Sequence, residues 1–330
     1  MAQIAVTDLE YRKAQKVFAA AAERGLECLP APAGEAELAA FIKDRGATGA
    51  IVGVESYCGA LYDALPRGSV LARFGVGHDG IDKTLATSCG IICTNTPGAL
   101  DDSVAEHTLN LLLAAARHTV EAASNLKTGQ WTPLLGRELA GKTLAVVGCG
   151  PIGRRVAQIA SAGFRMRVVG CEVQDVDMDR MRREFGFAHV TKDFGEAVAD
   201  ADYVTLHIPS VTATRYYLNR ERFGRMPAKA WLINTARGAI VDEKALYEAL
   251  VAGMIAGAAL DVYEREPYVP VDPDKDLRTL RNVIMTPHVG SSTQEACDRM
   301  AAQALQNIAL AAERRYGEMN VLNPQVLEGL

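Results

Sequence analysis

The stretch Thr143-Leu-Ala-Val-Val-Gly-Cys-Gly-Pro-Ile-Gly153 constrains the fold of this chain more than any other. Residues 144–147 are a short apolar run, rich in β-branched side chains and of the length of a buried strand. Gly148, Gly150 and Gly153 follow in G-x-G-x-x-G spacing. Residues 154–162 then read as a helix and residues 167–172 as a second strand, which completes one β-α-β unit. In such a unit Gly148 allows the tight turn, Gly150 lets backbone approach a pyrophosphate, and Gly153 lets the helix pack close to the sheet. The free N–H groups and the positive dipole end at the start of the helix hold phosphates. Glu172 follows Gly153 by 19 residues and ends the second strand, where a carboxylate can accept from ribose hydroxyls. An ordinary glycine turn accounts for the spacing alone. It does not account for strand, helix and acid in the right order.

The same stretch points to NAD rather than NADP. A 2′-phosphate would meet the Glu172 carboxylate, and the next residues, Val173 and Gln174, offer no arginine to receive it. Arg154 and Arg155 are the cations that could swing across and oppose this reading.

The rest of the chain extends the pattern. Residues 4–8, 49–54, 70–77 and 91–94 read as strands, with a helix over residues 9–24 ended by Gly25. Alternation of this kind implies a parallel sheet covered by helices on both faces. Acids crowd the start of a helix predicted over residues 101–127, which Thr128-Gly-Gln-Trp-Thr-Pro133 breaks. The loop from residue 127 to residue 141 is a candidate arm toward a partner subunit. A second sheet is expected from strands at 144–147, 168–171, 203–208, 231–235, 255–262 and 283–285, and a last helix at 293–317. The fold class is therefore α/β, two doubly wound parallel-sheet, Rossmann-like domains with a cleft between them. The first domain would be discontinuous, residues 1–102 plus 290–330, and the second would span residues 103–289.

Charge and cysteine usage limit the function classes. A net charge of −5 in 330 residues argues against nucleic-acid binding. No apolar run reaches membrane-spanning length, and the start lacks a basic segment ahead of an apolar core. Seven cysteines without a C-x-x-C suit free thiols in a reducing cytoplasm better than a disulfide frame or a zinc site.

Three polar sites follow strands of the second sheet, where ligands of open α/β sheets bind. Arg237 ends Leu232-Ile-Asn-Thr-Ala-Arg-Gly238, and a guanidinium there can clamp a carboxylate with two hydrogen bonds. Asp261 and Glu266 lie in Ala258-Ala-Leu-Asp-Val-Tyr-Glu-Arg-Glu-Pro267, with Glu264 read as part of a solvated acidic loop. His288 lies in Ile284-Met-Thr-Pro-His-Val-Gly290. One histidine is more often structural than catalytic, but an arginine and a carboxylate at equivalent strand ends favour catalysis.

These stretches, with Phe74-Gly-Val-Gly-His-Asp-Gly-Ile-Asp82, Thr94-Asn-Thr-Pro-Gly98, Ala105-Glu-His-Thr108 and His207-Ile-Pro209, resemble the D-isomer-specific 2-hydroxyacid dehydrogenases over almost the whole chain. The resemblance implies an NAD-dependent enzyme that interconverts a D-2-hydroxy acid and its 2-keto acid by hydride transfer. It makes Arg237, Glu266 and His288 catalytic. It assigns cofactor contacts to Gly148, Gly150, Pro151, Ile152, Gly153, Glu172, His207, Pro209, Thr108, Thr235, Ala236, Arg237, Asp261, His288 and Gly290. It assigns the substrate carboxylate to the backbone at Val76 and Gly77, with Arg237. It implies a homodimer and no metal. An NADH-sensing regulatory protein, corepressor-like, is the alternative on the same fold. Glu172 stands where the family usually has Asp, which lengthens the reach, and Gly80 replaces a common Asn. The substrate is not named by the sequence. It depends on what Glu55, Tyr57, Arg73 and the region of Tyr268 present, with Arg73 the one local cation for a phosphate.

Catalytic residues on one domain and a carboxylate-binding backbone on the other imply that the cleft closes over substrate. Small-angle scattering is expected to report compaction when NADH and an unreactive substrate analogue are added together. An unchanged radius of gyration would overturn this expectation.

Overall fold

A computed structural model describes residues 1–330, in two compact units. One unit comprises Met1–Leu100 and Ser291–Leu330, the other Asp101–Gly290. The first is built on five parallel strands: β1 (Ala2–Thr7), β2 (Leu26–Ala31), β3 (Gly49–Val52), β4 (Val70–Arg73) and β5 (Ile92–Thr94), in the order β2-β1-β3-β4-β5. Helix Gln294–Ala312 lies against β4 of this unit and buries Ala296, Met300, Ala304 and Leu305. No helix of the chain is long and apolar enough to cross a membrane.

The second unit has seven parallel strands: β6 (Thr143–Val147), β7 (Arg167–Cys171), β8 (Phe187–Thr191), β9 (Tyr203–Leu206), β10 (Trp231–Asn234), β11 (Gly257–Leu260) and β12 (Val283–Met285). Their order is β12-β11-β10-β9-β6-β7-β8, the doubly wound dinucleotide-binding arrangement with one strand added. Both faces of β6 are dry. Ala145 and Val147 belong to one apolar layer, with Leu232, Leu246 and Leu260, while Leu144 and Val146 belong to the opposite layer, with Val156, Leu109 and Leu112. A parallel sheet covered by helices on both sides requires this continuous apolar run.

The structure departs from the expected elements at several points. The helix expected over residues 9–24 is three pieces: Asp8–Lys13, Gln15–Ala20 after a break at Ala14, and a 3-10 turn Ala21–Arg24. The helix expected over residues 101–127 divides at His118, whose φ of 51° is left-handed, into Asp101–Arg117 and Thr119–Lys127. The first piece buries nine side chains and the second none, so packing stops where the backbone turns. The last helix ends at Ala312 rather than at residue 317.

Two strands, β2 and β8, were not expected at all. Both are sheet edges. β2 holds Pro30, which an edge tolerates because it demands no ladder N–H, and β8 exposes Ala188 and His189. Neither has the apolar run of a central strand.

Candidate active site

The expected strand-end residues all leave the carboxyl edge of the seven-stranded sheet. At the switch point between β6 and β9, the N–H of His207 donates to Val147 at 2.7 Å. Gly148 has φ of 93°, and a Cβ there would stand 2.5 Å from the His207 carbonyl oxygen. A Cβ on Gly153 would stand 2.1 Å from the Gly148 carbonyl oxygen, so the helix packs directly on the turn. A Cβ on Gly150 would meet nothing within 4 Å, so this backbone faces open space. Pro151 and Ile152 open helix Pro151–Phe164, and no side chain caps its N–H groups. A turn held by backbone contact beneath and open above is what a bound pyrophosphate needs.

Glu172 reaches back over this turn. Its Oε2 accepts from the Cys149 N–H at 2.9 Å and its Oε1 from the Gln174 N–H at 3.2 Å. The extra methylene relative to Asp permits that return. Arg155 is engaged by Asp102 at 2.6 Å and by Gln158 at 2.8 Å. Arg154 stacks over the Phe185 ring at 5.2 Å. The Thr108 and Thr235 hydroxyls meet at 2.8 Å, both buried. The His207 ring lies 3.0 Å from the Thr205 hydroxyl, and desolvation pushes its pKa down to about 3, which keeps it neutral. The Pro209 carbonyl accepts from the Thr214 hydroxyl at 2.6 Å.

Arg237 follows β10 in extended backbone, with its Nη1 on the Ala236 carbonyl at 2.7 Å. Asn234 braces this strand end, donating to the Arg237 carbonyl at 2.9 Å and accepting from the Ala236 N–H at 3.1 Å. Asp261, 1% exposed, follows β11. Its Oδ1 takes the Thr286 hydroxyl at 2.6 Å and the Val289 N–H at 2.9 Å, with His107 Nε2 at 3.3 Å, and its Oδ2 takes the Gly290 N–H at 2.8 Å. Burial alone would raise the Asp261 carboxyl. Hydrogen bonds from His107, Thr286, Val289 and Gly290 outweigh burial and hold it below the usual carboxylate range.

The turn gathered on Asp261 carries His288 at φ 52°, a strained backbone for a residue other than glycine. Its Nδ1 lies 2.6 Å from Glu266 Oε2. The other oxygen of Glu266 is fixed by the Tyr263 N–H at 2.9 Å. Glu266 and His288 thus meet, side chain to side chain.

In the first unit, the loop after β4 is braced from two sides. The Asn95 amide donates to the Val76 carbonyl at 2.7 Å and the Thr96 N–H to the Gly75 carbonyl at 3.0 Å. The N–H groups of Val76 and Gly77 have no backbone acceptor within the chain. Arg73, 8% exposed, donates to the Phe74 carbonyl and lies under Gly75, with its guanidinium carbon 3.1 Å from where a Cβ would be. It is therefore enclosed by this loop rather than extended toward a phosphate. Burial and Glu10 raise the Glu55 carboxyl, against the pull of Arg73. Tyr57 is buried with its hydroxyl on the Ala33 carbonyl at 3.1 Å.

Sequence reasoning passed over His107 and Thr286, which share the Asp261 carboxylate. Both stood inside quoted motifs, but neither spacing nor residue type pointed to a buried carboxylate between them. The reading of Glu264 as solvated was wrong. It is half-buried, accepting from the Tyr216 hydroxyl at 2.8 Å and the Glu243 N–H at 2.9 Å.

Comparison with known proteins places this geometry. Residues 109–290 match the model of the D-isomer specific 2-hydroxyacid dehydrogenase NAD binding domain. A glyoxylate reductase of Korarchaeum cryptofilum is 38% identical over 274 residues, covering 81% of this chain and 80% of that one. The solved TT0316 protein of Thermus thermophilus is 36% identical with a TM-score of 0.82, over 97% of this chain and 99% of that chain. An NADPH-dependent glyoxylate/hydroxypyruvate reductase of Sinorhizobium meliloti, solved with NADP and malonate, is 29% identical with a TM-score of 0.78, over 94% and 93%. With an open glycine turn at the switch point and an arginine, a carboxylate and a histidine at neighbouring strand ends, the chain belongs to the D-isomer-specific 2-hydroxyacid dehydrogenases, oxidoreductases that use a nicotinamide cofactor to interconvert 2-hydroxy and 2-keto acids.

Proposed function

We propose that this enzyme reduces a small, unphosphorylated 2-keto acid of the glyoxylate or hydroxypyruvate class to its D-2-hydroxy acid, with NADH, in the cytoplasm. The observation that carries the reading is the 2.6 Å contact of Glu266 with the ring of a backbone-strained His288. The glyoxylate and hydroxypyruvate reductases among the relatives support the substrate class, and Arg73, the cation singled out for a phosphate, is enclosed by its own loop. Seven unpaired cysteines fit a reducing compartment.

In this reading the unit Met1–Leu100 with Ser291–Leu330 binds substrate, and the unit Asp101–Gly290 binds cofactor through the turn Gly148–Gly153, with Pro151, Ile152, Glu172, His207, Pro209, Thr108, Thr235, Ala236, Asp261 and Gly290 around it. The nicotinamide cofactor, when bound, supplies the hydride. The Val76 and Gly77 N–H groups and Arg237 hold the substrate carboxylate. Arg237 also stabilises negative charge growing on the carbonyl oxygen. Glu266 holds Nδ1 of His288, which leaves Nε2 to give its proton to that oxygen, or to take it back in oxidation. The carboxylate also stabilises the imidazolium.

Three outcomes are expected. First, His288→Asn lowers turnover on the order of 10²–10⁴-fold because the proton donor is gone. Glu266→Gln keeps the shape without the charge and moves the pH at which keto acid reduction falls off to lower values. NADH affinity changes little in either. A near-normal His288→Asn enzyme, or a Glu266→Gln profile that stays in place, would overturn the assignment.

Second, steady-state turnover strongly favours NADH over NADPH, because Glu172 lies over the turn and both Arg154 and Arg155 are occupied. Glu172→Ala narrows the gap, and equal turnover of the two cofactors by the parent enzyme would refute it. Third, the protein is a homodimer joined through the arm at residues 127–141, where Trp131 is 84% and Leu135 94% exposed. Native mass is the check, and the mass of one chain, 35.4 kDa, is the result that excludes it.

A further inference from the structure

The turn that carries Glu266 is fastened to the segment that follows Arg237. After Arg237 the chain makes a 3-10 turn, Gly238–Ile240, and enters helix Glu243–Val251, capped by Asp242. The N–H of Glu243 donates to Oε1 of Glu264 at 2.9 Å, and the N–H of Glu264 donates back to Oε1 of Glu243 at 2.6 Å. Each glutamate thus accepts the other's backbone. A second tie runs beside the first: the Tyr216 hydroxyl donates to Oε2 of Glu264 at 2.8 Å, and the Tyr216 N–H donates to the Ala239 carbonyl at 2.9 Å. A third is steric. A Cβ on Gly238 would stand 1.8 Å from the Tyr263 carbonyl carbon, so the two backbones touch. From there the Tyr263 N–H fixes Glu266, and Glu266 fixes His288.

Glu243 is 4% exposed, and its Oε2 has no hydrogen-bond partner. Burial, with Glu264 and Glu266 nearby, pushes its carboxyl up to about 7, against the pull of the Glu264 N–H and Arg265. A charge is poorly served in that position. The hydrogen bond to Glu264 is well served, since a neutral carboxyl oxygen accepts it as an ionised one does.

We propose that the reciprocal Glu243–Glu264 clasp is a positioning device for the reaction: it sets the register between Arg237 and the Glu266–His288 pair. Neither glutamate touches substrate. They hold the group that grips the carbonyl oxygen and the group that protonates it at one spacing. The proposal rests on the roles given to Arg237, Glu266 and His288 above.

The test compares Glu243→Ala, Glu264→Ala, Glu243→Gln and Glu264→Gln in the full-length enzyme. It reads kcat and KM for a 2-keto acid, NADH affinity by fluorescence, and the pH profile of reduction. The alanine variants are expected to bind NADH as the parent does, with kcat lower on the order of 10–100-fold. Their reduction limb moves to lower pH, because Glu266 loses its seat against His288. The glutamine variants recover most of kcat, since an amide oxygen accepts the same N–H. Alanine variants with parent kcat and pH limb would overturn the clasp. So would glutamine variants as slow as alanine, or alanine variants that lose NADH affinity in step with kcat. Where an alanine variant does not fold, Tyr216→Phe removes one tie only. A several-fold fall in kcat at parent NADH affinity is then expected, and a parent-like kcat overturns the proposal. His288→Asn runs in parallel. If that variant is near normal, the acid–base reading fails; if it is crippled while Glu264→Ala is parent-like, the clasp alone fails.

Discussion

One buried carboxylate organises the chemistry of the second unit. Asp261 sits at the end of β11 with 1% exposure, where an unpaired charge would be untenable. It is stable there because Thr286, His107 and the backbone of Val289 and Gly290 all point donors at it. Satisfying one charge therefore folds a whole turn, and that turn is the one that carries His288 at a positive φ. The strain at His288 persists because the surrounding hydrogen bonds over-determine it.

Much of the fold was legible in the sequence, and the overlong strands share a cause. The strands expected at 49–54, 70–77, 203–208, 231–235 and 255–262 stop in the structure at Val52, Arg73, Leu206, Asn234 and Leu260. The residues left over are Gly53, Val54, Phe74 to Gly77, His207, Ile208, Thr235, Asp261 and Val262, and five of these, Val76, Gly77, His207, Thr235 and Asp261, are expected site residues. Most of them are apolar or small and continue the pattern of the strand, and the N–H groups of Phe74, His207 and Asp261 still donate to the neighbouring strand before the backbone leaves the ladder. The edge strands β2 and β8 failed the opposite way: their exposed faces and Pro30 lack an apolar run, and neighbour pairing alone makes them strands. The division at His118 is a single backbone torsion, and composition does not announce it.

Glu264 is the instructive miss among side chains. An acid between Tyr263 and Arg265, ahead of a proline, looks solvated when only its neighbours in sequence are counted. Its partners, Glu243 and Tyr216, are 21 and 48 residues away. The Glu266–His288 pairing, also distant in sequence, was found because two separate stretches of the family resemblance carried one residue each. Nothing comparable marked Glu243.

The glycines of the cofactor turn bear on assembly as well. In β6, where alternate residues enter two equally apolar layers, hydrophobicity does not choose a register, since a slip of one residue would exchange one dry face for another. Size does choose. Only a residue without a side chain fits against the His207 carbonyl, and only another fits beneath Gly148. The turn is thus a steric key that the central strand must match in order to dock. A chain that has aligned β6 with β9 correctly has, by the same act, completed its glycine turn.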